Sequence, residues 1–278
     1  MGTTETETCY RHPNRETRVS CSSCGRPICP ECMTPTPVGM RCPECSRQRT
    51  RVVRNPHGQA SGFWASPATY VLIAINVVVY LVEIAGGSGG VNNPGGSFVL
   101  DYGLYGPFVA EGEWYRLVTN GFLHASLIHI GFNMLLLYLL GRLLEPALGT
   151  PRFLVLYFAS LLAGSFGVMI LDPNSLTVGA SGAVFGLFAA GFILARERGL
   201  NELAGQFAFL IVINLVFSFT GSNISVGGHL GGLVGGFLCA LVIVAGGRGM
   251  LGEKPRNLEL VLMALVGAIA VVGSIAIA

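Results

Sequence analysis

Three polar stretches within apolar segments contain the residues of this chain that could do chemistry inside a membrane. Ser181 lies in the small-residue run Gly179–Gly182, His229 lies between pairs of glycines, and His129 and Asn133 are four residues apart. A hydroxyl beside an imidazole is the pairing of a nucleophile with its base, and a second imidazole with an amide could stabilise an oxyanion. Each residue alone also fits close helix packing or hydrogen bonding between helices. Because polar groups are costly in apolar spans, their joint presence favours a shared function.

A second set of chemically active residues lies within residues 1–54, in four ligand pairs that each enclose two residues. The pairs are Cys9 with His12, Cys21 with Cys24, Cys29 with Cys32, and Cys42 with Cys45. Eight such ligands fill two structural zinc sites with tetrahedral geometry. A disulfide framework is the alternative, but seven cysteines with a histidine in the eighth place fit metal better. Pairing the first with the third and the second with the fourth would make a cross-brace, although the sequence leaves the pairing open.

The composition indicates which kind of protein positions these residues. The chain of 278 residues is 51% hydrophobic and only 12% charged, whereas soluble domains are about one quarter charged. We therefore predict a polytopic all-α membrane protein with seven helices, of which the first and fourth are short for a bilayer core of about 30 Å. The predicted spans lie near residues 68–84, 125–144, 153–171, 180–195, 203–220, 225–245 and 258–278.

The basic residues predict the orientation of these spans. With the N-terminus inside, 16 of the 17 basic residues fall on inner segments and only Arg116 falls outside. This asymmetry predicts a cytoplasmic N-terminus and an outer C-terminus. The cytoplasm would also keep the cysteines reduced for zinc. Helical rise then places His129, Ser181 and His229 at similar depths in the outer part of the membrane.

The zinc-binding head and the linker at residues 55–67 carry less specific signals. Arginines are frequent in the head, but five glutamates dilute its positive charge and no aromatic platform accompanies them. This pattern does not favour nucleic acid as a partner. We expect a head that docks a protein partner or regulates the membrane body.

Glycine ridges predict how the spans pack. Gly182, Gly186 and Ala190 form one ridge beside Ser181, and His229 shares a helix face with Gly232 and Gly236. Ridges of small residues permit close backbone approach. Helices that meet along them would bring the Ser181 hydroxyl within reach of the His229 imidazole.

These residues together resemble the signature of rhomboid intramembrane serine proteases. The resemblance rests on the Gly-x-Ser-Gly run on the fourth span, the Gly-His-x-Gly-Gly run on the sixth and His-x-x-x-Asn on the second, and it covers about residues 68–245. Glu113–Arg116 and Glu145 resemble further family positions. The head is similar to a B-box-type zinc finger. The resemblance implies a six-helix core, to which residues 246–278 add a seventh C-terminal helix.

The resemblance also implies a mechanism. Ser181 and His229 would form a catalytic dyad without a cofactor, and His129, Asn133 and the Ser181 backbone N–H would stabilise the oxyanion. Phe185 stands where some relatives carry a tyrosine stacked under the histidine. His124 is assigned either to the water entrance or to capping or interface placement. The substrates would be transmembrane segments of other membrane proteins in the lipid bilayer, and the predicted location is a bacterial plasma membrane.

Two other classes of function are alternatives to a protease. A catalytically inactive rhomboid-like protein would bind membrane clients without cutting them, but both dyad positions are intact here. A transporter would be expected to show paired intramembrane charges or an internal repeat, and neither is evident in the sequence. The sequence therefore predicts a serine endopeptidase that cuts within the membrane.

Overall fold

The structure is a computed structural model that describes residues 7–36, 39–47, 62–220, 224–252 and 255–278. Its contacts divide the chain into two compact units, Met1–Gln59 and Ala60–Ala278. Most of the predicted linker lies outside the described residues. The domain bounds of the sequence analysis therefore stay predictions.

The described residues of the N-terminal unit form two small antiparallel hairpins, a 3-10 turn at Pro30–Cys32 and one short α-helix. Strand β1 (Glu7–Cys9) pairs with β2 (His12–Thr17), β3 (Thr34–Thr36) pairs with β4 (Gly39–Arg41), and α1 spans Pro43–Arg47. Its buried apolar cluster consists of six cysteines and Ile28, with Tyr10 and Met33 against it. So small a core stabilises a fold poorly unless metal joins the cysteines.

The described residues of the second unit form seven long helices, which confirms the predicted number and order. Three short helices, α3 (Ser97–Tyr102), α4 (Gly106–Ala110) and α5 (Arg116–Thr119), lie between the first two long ones. The long helices are α2 (Pro67–Gly86), α6 (Leu127–Leu148), α7 (Thr150–Leu171), α8 (Ser181–Glu197), α9 (Asn201–Thr220), α10 (Val226–Gly247) and α11 (Pro255–Ile277).

Length and hydropathy identify this unit as a multi-pass membrane protein. Six of the long helices are long and apolar enough to cross a bilayer. The exception is α8, the predicted short fourth span, which has 17 residues, of which 12 are buried. A helix that is apolar on all sides and surrounded by other helices can be shorter than a lipid-facing one.

The centre of the unit is formed by α7, α8 and α10, and α11 packs against α7 and α10. The ends of the helices follow from local signals. Ser126 and Ser225 precede α6 and α10, and their side chains accept hydrogen bonds from the first-turn N–H groups of His129 and Gly228. Serine is a favoured residue at this capping position. Both caps therefore fix the start of a helix that carries a predicted site residue.

Candidate active site

Ser181 and His229 lie in direct contact, as the ridge argument predicted. The His229 Nε2 is 2.8 Å from the Ser181 Oγ. Ser181 is the first residue of α8, and His229 lies in the first turn of α10. His229 is buried. A hydroxyl at hydrogen-bond distance from a buried imidazole is the geometry of a nucleophile with its general base.

Along their glycine ridges, α8 and α10 touch backbone to backbone. A Cβ on Gly232 would lie 2.6 Å from the Gly182 carbonyl carbon, and one on Gly236 would lie 2.5 Å from that of Gly186. Any side chain at these positions would push the helices apart. The glycine seam, Gly182 and Gly186 against Gly232 and Gly236, therefore sets the distance between the hydroxyl and the imidazole.

Gly227 and Gly231 form a second glycine ridge on α10, and the sequence did not reveal its partner. A Cβ on Gly231 would lie 3.0 Å from the Ala163 carbonyl carbon, and one on Gly227 would lie 2.9 Å from the Gly167 carbonyl carbon. Both partners belong to α7. Helix α10 is thus held closely on two sides, by α8 and by α7.

The segment that leads into Ser181 is held by backbone hydrogen bonds at two places. Leu104 and Thr177 exchange backbone hydrogen bonds of 2.9 and 2.8 Å, and the Gly179 N–H donates to the Asn120 carbonyl at 2.9 Å. Gly179 has a φ of +135°, a conformation that suits glycine. The Asn120 amide donates in turn to the Ser165 Oγ at 3.1 Å. Asn120 was not identified from the sequence, because a lone asparagine in a loop carries no spacing signal.

His129 lies beside the serine. A Cβ on Gly179 would be 2.8 Å from the His129 Nε2 and 3.7 Å from the Ser181 Oγ. The Ala125 N–H points at the His129 Nδ1 at 3.4 Å, so Nδ1 is an acceptor and the ring proton is on Nε2. The Nε2–H of His129 is therefore a donor on the side of Gly179 and Ser181.

The two other predicted oxyanion donors are placed differently. The Ser181 N–H belongs to the first turn of α8 and has no acceptor within the helix. Asn133 is buried one turn below His129, and its Nδ2 donates to the His129 carbonyl at 3.0 Å. Among the described residues, no hydrogen bond joins Asn133 to Ser181.

The His229 ring is held on its face and on its second nitrogen. Phe185 stacks on it with ring centroids 4.2 Å apart and planes 17° from parallel, as the sequence allowed. The Ser218 Oγ lies 2.5 Å from the His229 Nδ1. Ser218 was not identified from the sequence, since a serine in an apolar helix is usually bonded to its own backbone.

Comparisons with known proteins identify the family of this chain. A model of the rhomboid domain matches residues 111–246. The putative rhomboid protease YdcA of Bacillus subtilis is 42% identical over 142 residues, which are 49% of this chain and 70% of YdcA. This chain belongs to the rhomboid family. The rhomboid protease GluP of the same organism is 34% identical over 203 residues, 72% of this chain but only 39% of GluP. Rhomboid-like protease 1 of Toxoplasma gondii is 33% identical over 181 residues, 60% of this chain and 61% of that protein.

Arg116 lies in the segment Glu113–Arg116, which resembles a family position. Its side chain connects the short helices between α2 and α6. Its Nη1 donates to the Leu100 and Gly103 carbonyls at 2.6 and 2.7 Å, and its Nη2 pairs with Glu113 at 2.5 Å. The hydrogen bond and the positive charge of Arg116 lower the pKa of the Glu113 carboxyl. Its guanidinium also lies 4.5 Å from the centre of the Phe108 ring. This rhomboid position therefore has a structural role.

Two buried glutamates connect α2 to its neighbours. Glu145 connects α6 to the start of α2, and Glu83 connects α2 to the loop before α6. The Glu145 carboxylate accepts from the Ala68 and Thr69 N–H groups at 3.0 and 2.9 Å and from the Thr69 hydroxyl at 2.7 Å, so it caps the start of α2. Glu83 accepts from the His124 N–H at 3.2 Å. His124 is fully buried, with its ring centre 5.1 Å from that of His129. Its assignment to the water entrance stays a prediction.

In the N-terminal unit, the eight predicted metal ligands form two groups of four. Cys9, His12, Cys29 and Cys32 form one, and Cys21, Cys24, Cys42 and Cys45 form the other. Within each group all ligand atoms lie within 4.8 Å of one another. This is the cross-braced arrangement that the sequence left open.

The distances within both groups fit tetrahedral zinc. A Zn–S distance of about 2.3 Å puts two sulfurs about 3.8 Å apart, and the Cys24 and Cys42 Sγ atoms are 3.8 Å apart. The His12 Nδ1 lies 3.3 and 3.4 Å from the Cys29 and Cys32 Sγ atoms. The Cys42 N–H donates to the Cys21 Sγ and lowers the pKa of that thiol to about 6, which favours the thiolate that binds metal.

Proposed function

We propose that this rhomboid protein is an intramembrane serine endopeptidase that cuts transmembrane segments of other membrane proteins. The observation that carries the proposal is the 2.8 Å contact between the Ser181 Oγ and the His229 Nε2. Membership of a family whose named relatives are rhomboid proteases supports it.

The reaction follows from the protons that these side chains can exchange. His229 Nε2 takes the hydroxyl proton as the Ser181 Oγ attacks a peptide carbonyl carbon. It then gives that proton to the departing amine, which leaves an acyl group on Ser181. A water that loses its proton to His229 hydrolyses the ester and restores the serine.

The negative charge on the tetrahedral oxygen requires fixed donors. The Ser181 N–H and the His129 Nε2–H are the two that the local geometry supports most directly. Asn133 acts as the third through the N–H that its bond to the His129 carbonyl leaves free. Donors in a site with little water are worth more than donors in solution.

The topology and the N-terminal unit complete the proposal. The N-terminus lies in the cytoplasm and the C-terminus outside a bacterial plasma membrane, with the dyad in the outer half of the bilayer. The head is a B-box-type module that holds two structural zinc ions and docks a protein partner. The two groups of four ligands support the metal assignment.

Labelling with a fluorophosphonate and cleavage of a transmembrane reporter test the proposed activity. The wild type should be labelled at Ser181, whereas Ser181→Ala and His229→Ala should lose both labelling and cleavage. Ser274→Ala is the matched control, because Ser274 is a buried serine whose hydroxyl donates to the Ala270 carbonyl within α11. It should retain both activities.

An inactive client-binding protein is the alternative. It would retain a membrane client without cleaving it and would show no reaction of Ser181 with the probe. Cleavage by folded Ser181→Ala protein, with contaminating proteases excluded, would refute the proposed mechanism.

A further inference from the structure

Ser218 lies at the far end of α9 and reaches into the site. Helix α9 is described throughout, and only Ala204, Phe207 and Ser218 of its 20 residues are buried. Phe207 fits over Gly191 of α8, where a Cβ would meet its ring at 2.5 Å. Ser218 is 11 residues further on, about 16 Å along the helix. This end of α9 therefore contributes a single buried side chain, and that side chain contacts His229.

The protons of Ser218 and His229 can be assigned from their partners. The Ser218 Oγ is 2.7 Å from the Asn214 carbonyl and 2.5 Å from the His229 Nδ1. A serine hydroxyl has one hydrogen, and a carbonyl can only accept. If that hydrogen goes to the Asn214 carbonyl, the Ser218 Oγ accepts from Nδ1–H. If it goes to Nδ1 instead, the imidazole proton must be on Nε2.

The two arrangements differ in what they do for Ser181. With the proton on Nδ1, the His229 Nε2 has a free lone pair directed at the Ser181 hydroxyl, 2.8 Å away. With the proton on Nε2, the ring donates to the Ser181 Oγ and cannot take its proton. The first arrangement also satisfies the Ser218 hydroxyl, the Nδ1–H and the Ser181 hydroxyl at once. The hydrogen-bond partner of one ring nitrogen thus determines the role of the other.

We infer that Ser218 is a positioning residue for the proposed protease reaction, on which this inference rests: its Oγ accepts the His229 Nδ1–H and so holds Nε2 as the base. It occupies the place that an acidic residue takes in a three-residue catalytic triad, where loss of the correct tautomer is costly. Because Ser218 is on α9 and His229 on α10, the correct tautomer depends on the docked position of α9.

The test compares full-length Ser218→Ala and Ser218→Thr with the wild type. Removing the acceptor should slow fluorophosphonate labelling of Ser181 and lower kcat about tenfold, the factor that corresponds to one net hydrogen bond. KM should not change, because Ser218 acts through His229. Threonine keeps the hydroxyl and should restore most of the rate. Thr220→Val is the matched control, since Thr220 is exposed on the same helix and its hydroxyl also donates four residues back, to the Val216 carbonyl.

The ring proton itself gives a readout that a structural role would not change. Nitrogen-15 NMR of the His229 ring, assigned against His229→Asn, should show Nδ1–H in the wild type and a mixture with Nε2–H in folded Ser218→Ala. An Nε2–H ring in the wild type, or an unchanged labelling rate in Ser218→Ala, would overturn the inference. A wild type whose Ser181 does not react would instead refute the proposed function, so the two failures are distinguishable.

Discussion

Replacing one glycine of the seam should separate the dyad by a predictable distance. In Gly232→Ala, the new Cβ would lie 2.6 Å from the Gly182 carbonyl carbon, whereas ordinary contact begins at 3.4 Å. Because the Gly182 carbonyl oxygen would be closer still, helices α8 and α10 must move apart by at least about 0.8 Å. Since Gly232 is one turn from His229 on the same face, the 2.8 Å contact with Ser181 would lengthen to about 3.6 Å or more, which is no longer a hydrogen bond.

Both stability and activity should respond. Overpacking costs about 1–3 kcal/mol, and a misplacement near 1 Å can cost on the order of a hundredfold in rate. We expect thermal unfolding of the purified protein to show a free energy of unfolding lowered by about 1–3 kcal/mol. The rate at which Ser181 reacts with a fluorophosphonate should fall on the order of a hundredfold. Labelling is the better assay, because it reports the dyad without substrate entry.

Two variants of the same helix separate the effects of geometry and stability. Gly247→Ala meets no atom within 4 Å and should behave like the wild type. Gly231→Ala overlaps the Ala163 carbonyl of α7, so it should destabilise the protein while moving His229 less with respect to Ser181. A near-normal labelling rate in Gly232→Ala, or an equal loss in Gly231→Ala at matched stability, would refute the reasoning.

Four further outcomes are expected. Metal analysis should find about two zinc ions per chain, and four oxidised cysteine pairs without metal would contradict this. Glu145→Ala should destabilise the fold by about 1–3 kcal/mol in thermal unfolding, because buried N–H groups at the start of α2 lose their acceptor. Arg152→Ala should cost about 3–5 kcal/mol, since it leaves Glu259 buried and unpaired, whereas replacing both by methionine should recover most of the loss. Phe185→Tyr should keep the labelling rate, while Phe185→Ala, which removes the stacked ring, should lower it.

The sequence was sufficient for the parts of the site that depend on spacing. Two-residue spacing marked all eight ligands of the N-terminal unit, and the glycines flanking Ser181 and His229 indicated which helix faces would meet. His129, Asn133 and His229 could be singled out because polar residues are costly in apolar spans. The seven helices could also be located, because hydropathy alone separates apolar spans from the polar segments between them.

Other features depend on partners that are distant in sequence. Ser218 and Glu83 are ordinary in their own helices, and only the packing of α9 on α10 and of α2 near the loop before α6 gives them a role. Which two ligand pairs in the head share a metal site likewise depends on long-range folding, because every pair has the same local spacing. Gly227 and Gly231 could be identified as a ridge, but not assigned to α7.

The glycine seam also limits how this protein can be controlled. Turning α10 by one residue, about 100°, with a shift of about 1.5 Å, would bring Leu233 to the place where Gly232 now meets Gly182. Leucine does not fit there, because its Cβ alone would lie 2.6 Å from the Gly182 carbonyl carbon, so a slide of α10 in this direction is blocked. The end of α9 lies outside the seam and is held by few buried side chains, so its movement would change the hydrogen bond between Ser218 and His229 without disturbing the contact between α8 and α10.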